Sequence, residues 1–196
     1  PFYKGRSLYG PQGNLVFLAV PNLVDSRGVA IDPNNLIYTW TVDGEVDGAN
    51  SGYGKSIYYF TGPILIKDSE VNVQVTSKDG TAQGDATISV SPSNPFVATY
   101  ENRPLLGILF NQTIGNNFTL QDKEVTIEAF PYFFDTPSKT GSNLKYSWGI
   151  NNTPIVLPSN QNKIVLRNST GDSGRSDISV GLENNNQFLQ VGSKIL

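Results

Sequence analysis

Much of this chain is written twice. "YKGRSLYG" (Tyr3–Gly10) and "YENRPLLG" (Tyr100–Gly107) carry Tyr, Arg, Leu and Gly at the same places. Three more blocks follow in the same order. "FLAVPNLVD" (Phe17–Asp25) matches "IEAFPYFFD" (Ile127–Asp135), and "NLIYTWTVDG" (Asn35–Gly44) matches "NLKYSWGINN" (Asn143–Asn152). "SEVNVQVTSKDG" (Ser69–Gly80) matches "SDISVGLENNN" (Ser176–Asn186). Ordered matches of this kind make chance a poor explanation, and the drift in spacing between them is what insertions in loops produce. Two copies of one unit of about 100 residues is the economical reading. It predicts domains over 1–92 and 93–196, joined by "SPSNP" (Ser91–Pro95), a Pro-flanked linker that should be stiff.

Inside each copy the period is two. Leu36, Tyr38, Trp40 and Val42 share one face of a strand; Leu144, Tyr146, Trp148 and Ile150 do so in its twin. Val71, Val73 and Val75 alternate with polar neighbours, as do Ile178, Val180 and Leu182. Ala86, Ile88 and Val90 are expected to face inward on the last strand of the first copy, and Phe188 to Leu196 supply that of the second. Such alternation argues half-buried antiparallel strands, with Asp43-Gly44, Asp79-Gly80 and Asn184–Asn186 as turns. No segment keeps helical apolar spacing for three turns, so helices should be scarce. The expectation is an all-β chain of two tandem antiparallel β-sandwiches, with Tyr38, Trp40, Tyr146 and Trp148 in the cores.

Composition removes several chemistries. The chain contains no Cys and no His, which excludes disulfides, thiolate or imidazole metal ligands and the usual nucleophile–base pairs. A net charge of −3 without a basic stripe gives nucleic acid nothing to bind through. No apolar run approaches the roughly 20 residues of a membrane helix, so no direct membrane insertion is expected. A chain opening on Pro1 without Met reads as a processed or excised piece, its first strand starting at Pro1 and its last ending at Leu196.

With Tyr38-Thr39-Trp40 and Tyr146-Ser147-Trp148 on central strands, and Val71–Val90 as a closing hairpin, each copy resembles an immunoglobulin-like or PKD-like domain of bacterial or archaeal surface proteins. The resemblance spans nearly the whole chain. It lacks the inter-sheet Cys pair of antibody domains, and the PKD signature is reduced to Val42-Asp43-Gly44. The resemblance implies tandem immunoglobulin-like sandwiches that act as spacers, adhesive modules or assembly subunits rather than enzymes.

Several local motifs compete with that reading. "ANSGYGKS" (Ala49–Ser56) fits a relaxed phosphate-loop pattern, but the "IYYFTGP" that follows cannot begin the required helix. "GDSGR" (Gly171–Arg175) has the look of a serine-protease nucleophile loop with no imidazole to serve it. Asp43, Glu45 and Asp47, followed by Gly48, stand at calcium-loop positions, yet Gly54 replaces the bidentate Glu. A solvated hairpin is the preferred reading there, with calcium as the alternative. No cofactor is otherwise expected. In "AFPYFFD", Tyr132, Phe133 and Phe134 are consecutive, so a strand cannot bury all three on one face. They are candidates for an interaction surface, with packing against the linker or neighbouring domain as the bland reading, and Tyr59 in "SIYYF" poses the same question. Glycosylation sequons begin at Asn111, Asn117, Asn151 and Asn168. An internal Lys–Asn isopeptide bond would suit a Cys-free surface domain, but the sequence alone places no Lys, Asn and acid together.

The sequence therefore predicts a non-enzymatic extracellular segment, either a surface-protein spacer or an appendage subunit. A protein partner or self-association through edge strands is the expected mode of contact, with a glycan next. A carbohydrate-binding module or an accessory region of a secreted enzyme is the alternative function.

Overall fold

A computed structural model describes residues 8–169, 171 and 173–196. Tyr3–Ser7 of the first repeated block, the strand expected from Pro1, and Asp172 of "GDSGR" lie outside the described residues. Residue contacts divide the chain into two compact units, Pro1–Ser93 and Asn94–Leu196.

The first unit contains β1 (Asn14–Leu18), β2 (Leu36–Val42), β3 (Glu45–Val46), β4 (Gly52–Tyr53), β5 (Ile57–Thr61), β6 (Ser69–Ser77) and β7 (Gln83–Val90). The second contains β8 (Phe96–Arg103), β9 (Gly107–Ile108), β10 (Glu124–Tyr132), β11 (Leu144–Ile150), β12 (Thr153–Ile155), β13 (Lys163–Arg167), β14 (Ile178–Asn184) and β15 (Val191–Ile195). The only helix among the described residues is one 3-10 turn, Pro33–Asn35. All strand pairing among the described residues is antiparallel, and the chain is all-β as its period of two predicts.

Each unit sets one sheet on another around its own core. In the first, the β1–β5 pair covers a sheet ordered β3-β2-β6-β7, with β4 also on β2. Between them lie Leu15, Tyr58 and Phe60 from one side and Leu36, Tyr38, Trp40, Val71, Val73 and Val75 from the other. In the second, β13-β10-β8-β9 faces β12-β11-β14-β15. There Val97, Val125, Ile127, Ala129 and Ile164 meet Leu144, Tyr146, Trp148, Ile178, Val180 and Leu182. Both units are thus sandwich-like, and the four predicted core aromatics are all buried.

The repeat holds down to the register. Tyr38 faces Val75 and Trp40 faces Val73 across β2–β6; Tyr146 faces Leu182 and Trp148 faces Val180 across β11–β14. Each indole Nε1 donates to a backbone carbonyl further along its unit, Trp40 to Lys55 and Trp148 to Gln161, both at 2.9 Å. Each tyrosine hydroxyl donates to a carbonyl just upstream, Tyr38 to Pro33 and Tyr146 to Lys139. A buried aromatic with a polar tip needs that partner. On the covering sheet, Leu15 faces Phe60 as Val125 faces Leu166. The Ala19 amide then donates to Ser56 as that of Ala129 does to Asn162.

Two features depart from the alternation rule. Ala86, expected inside on β7, is exposed, because nothing among the described residues lies over that part of the strand. Phe188, expected on the last strand, is exposed in the turn before β15; Asn184 and Gln190 close that turn internally, with the Asn184 amide donating to the Gln190 carbonyl.

Candidate interaction surface

"NLVFLAVP" alternates in space but not in chemistry. Leu15, Phe17 and Ala19 turn toward the core, while Val16, Leu18 and Val20 turn outward and stay exposed, Val20 at 82%. Cross-strand pairing sets Val16 against Tyr59 and Leu18 against Ile57. Tyr59 is 67% exposed. These residues make one apolar outer face on the β1–β5 pair. The second unit breaks this apolar row at the equivalent register, with Thr126 opposite Val165 and the buried Glu128 opposite Lys163. The distinguishing signal was legible as six apolar residues in a row, Leu15–Val20, where a half-exposed strand should alternate.

The aromatic run of the second unit behaves differently. Phe134 joins the core at 9% exposure, so it drops out of the candidate surface. Tyr132 stacks on Phe96 with ring centroids 5.0 Å apart and planes 6° apart. Phe133 meets the same Phe96 ring edge-on at 5.8 Å. A positive φ of 61° at Phe133 breaks the strand and lets three consecutive rings take three directions. The Tyr132 and Tyr100 hydroxyls lie 3.0 Å apart, and burial together with that bond pushes the Tyr100 hydroxyl up to about 12. These rings pack on β8 of their own unit.

The carboxylates of "DGEVDG" are already employed. Asp43 (φ 51°) and Gly44 (φ 86°) form a two-residue hairpin turn with both centres at positive φ. The Asp43 carboxylate accepts from the Glu70 amide and from Lys67 Nζ, each at 2.8 Å. The Lys67 bond, more than the amide, holds its carboxyl below the ordinary range. Asp47 accepts from the Ala49 and Asn50 amides, Asn50 Nδ2 and the Tyr58 hydroxyl. Glu45 is exposed on β3. No group of three such ligands that could hold a metal occurs among the described residues. The second copy repeats the turn with Asn151 (φ 49°) and Asn152 (φ 63°), and Asn151 Oδ1 accepts from the Asp177 amide as Asp43 Oδ1 does from Glu70. Position 43 is therefore a structural Asx site in both copies.

Among the sequons, Asn111, Asn117 and Asn151 are exposed and Asn168 is half-buried; Thr170 of the last sequon lies outside the described residues. Asn151 and Asn168 spend their side-chain oxygens on the amides of Asp177 and Gly171.

No motif in the sequence marks the polar cluster at Glu128. This carboxylate is 5% exposed and accepts from Lys139 Nζ, Asn162 Nδ2 and Asn102 Nδ2. Lys139 also lies 4.4 Å over the Phe130 ring. Burial pushes the Glu128 carboxyl up, but the Lys139, Asn162 and Asn102 bonds outweigh it and the net displacement is downward. Lys, Asn and acid do meet here, as an isopeptide bond would need. Lys139 Nζ and Asn162 Nδ2 donate to the same carboxylate oxygen, Glu128 Oε1.

No protein-family model matches the chain, and comparison with curated proteins finds no match.

Proposed function

We propose that this chain is a non-catalytic, extracellular structural or adhesive segment. Its two units are immunoglobulin-like or PKD-like modules that space or join parts of a surface protein or appendage. The observation that carries this reading is the apolar outer face of the β1–β5 pair. Val16, Leu18, Ile57 and Tyr59 lie there exposed, paired across the two strands. Contiguous exposed apolar surface of this kind marks contact with another macromolecule. The carboxylates that would tempt a catalytic or calcium reading are bound into turns instead. Of the rings the carbohydrate alternative would use, Tyr59 is exposed, while Tyr132 stacks on Phe96 and Phe133 meets the same ring edge-on.

The test is location. Antibodies against the purified chain should label intact cells of the source, at the surface or along appendages. Labelling that appears only after permeabilisation would overturn the proposal.

A further inference from the structure

The covering sheets of the two units end on equivalent edges of different chemistry. At β5 the Ser56 carbonyl accepts from the Ala19 amide, and the Gly62 amide donates to the Gly13 carbonyl. Antiparallel pairing alternates, so the backbone groups of Ile57, Tyr59 and Thr61 point away from β1. They meet no other backbone partner among the described residues. Their counterparts on β13 are Lys163, Val165 and Arg167, since Asn162 accepts from Ala129 as Ser56 does from Ala19. β13 is the last strand of its sheet, with β8 on the far side of β10. The stretch that matches Tyr3–Arg6 in sequence, Tyr100–Arg103, lies on β8 and so away from this edge.

An unpaired edge is a template for another strand unless charge or shape guards it. Pairing each edge with itself about a two-fold axis separates the two. Centred on Val165, antiparallel pairing would set Lys163 against Arg167 of a second copy, twice over. Like charges directly opposite destabilise a ladder. Centred on Tyr59, the same register sets Tyr59 against Tyr59 and Ile57 against Thr61 of a second copy. No charge opposes that pairing, and each of the three positions can exchange both backbone hydrogen bonds. Ile57 is 44% exposed, Tyr59 is 67% exposed, and Thr61 is exposed as well.

We propose that the outer edge of β5 is a self-association site, and that its occupant is β5 of a second copy of this chain. Two β1–β5 pairs then join into one antiparallel sheet, in the order β1-β5-β5-β1. Val16, Leu18, Ile57 and Tyr59 of both copies share one face of it. Backbone pairing supplies the affinity, and the facing tyrosines fix the register. The contact is isologous, so it closes at a dimer. The cations on β13 keep the second unit from making the same contact. The inference rests on the reading of the β1–β5 pair as a contact surface and names its partner.

The test uses the whole chain, which has no cysteine of its own. Sedimentation equilibrium over a concentration series should show a monomer–dimer equilibrium. Tyr59→Lys should weaken it by at least about tenfold and leave the melting temperature in place, because the ring is exposed. Val165→Lys should associate as the parent does. Register is read by cysteines introduced one at a time. Opposed residues of a hydrogen-bonded pair have Cα atoms about 5.5 Å apart, within disulfide reach. Tyr59→Cys should therefore oxidise to a covalent dimer. Thr61→Cys, which faces Ile57 of the second copy, should not. A chain still monomeric at about 1 mM, or a dimer that Tyr59→Lys leaves intact, would overturn the proposal. So would a Tyr59→Cys variant that fails to cross-link, or cross-linking at position 61 as fast as at 59. Surface labelling reads location and these variants read the β5 edge, so either can fail without the other.

Discussion

Glu128 shows how one residue can make a unit sensitive to pH. Its carboxylate is almost withdrawn from water and held by Lys139, Asn162 and Asn102. The folded state thereby lowers its pKa below the unfolded value of about 4.3. A lowered carboxyl stabilises fully above the unfolded pKa and loses that contribution as pH falls through the folded one. Glu128→Gln replaces an acceptor by a group that is half donor, facing an ammonium and two amides. It should cost the second unit about 1–3 kcal/mol at neutral pH. The gap to the parent should narrow as pH drops below about 4; thermal melts across pH read this, and a gap constant from pH 7 to pH 3 would contradict the ion-pair account. Asp43 makes a complementary case. Asp43→Asn keeps the oxygen that accepts from Glu70, as Asn151 already does in the second copy, and should cost under about 1 kcal/mol; Asp43→Ala should cost more than Asp43→Asn. The turn at Asp43-Gly44 was legible because Asp-Gly supports positive φ. The Glu128 cluster was not, because its four members are spread from Asn102 to Asn162 and only tertiary packing brings them together.

At the scale of elements, two glycines of equivalent register, Gly84 facing Val75 and Gly192 facing Leu182, give the sharpest contrast. Gly192→Ala would drive a Cβ against the β8 backbone and should destabilise the second unit by about 1–3 kcal/mol. Gly84→Ala meets only ordinary contact and should be close to neutral or slightly stabilising. Equal losses at the two positions would show that β8 does not depend on glycine where it passes β15. The strands themselves were legible wherever apolar residues alternate, as in β2, β6, β11 and β14, because one face is buried and the other wet. They were misread where that premise fails. Ala86, which its period would turn inward, is exposed. Tyr132, Phe133 and Phe134 defied the period because a positive φ at Phe133 ends the strand. The outer face of β1–β5 is the opposite failure, apolar where water should be. Leu18→Lys there should change stability by less than about 0.5 kcal/mol, because it removes no core contact.

For the whole molecule, the repeat in sequence becomes a repeat of register, turns and aromatic hydrogen bonds, each unit closed around its own tryptophan. Trp40 and Trp148 are nearly withdrawn from water, and each spends its indole N–H on a carbonyl of its own unit. Truncating either to Ala should cost that unit about 3–5 kcal/mol and the other nothing. The direct measurement is differential scanning calorimetry of the parent, Trp40→Ala and Trp148→Ala. The account predicts that each variant lowers one transition and leaves a second where it was, with a different transition moved in each. A single transition that shifts as a whole in both variants would contradict it.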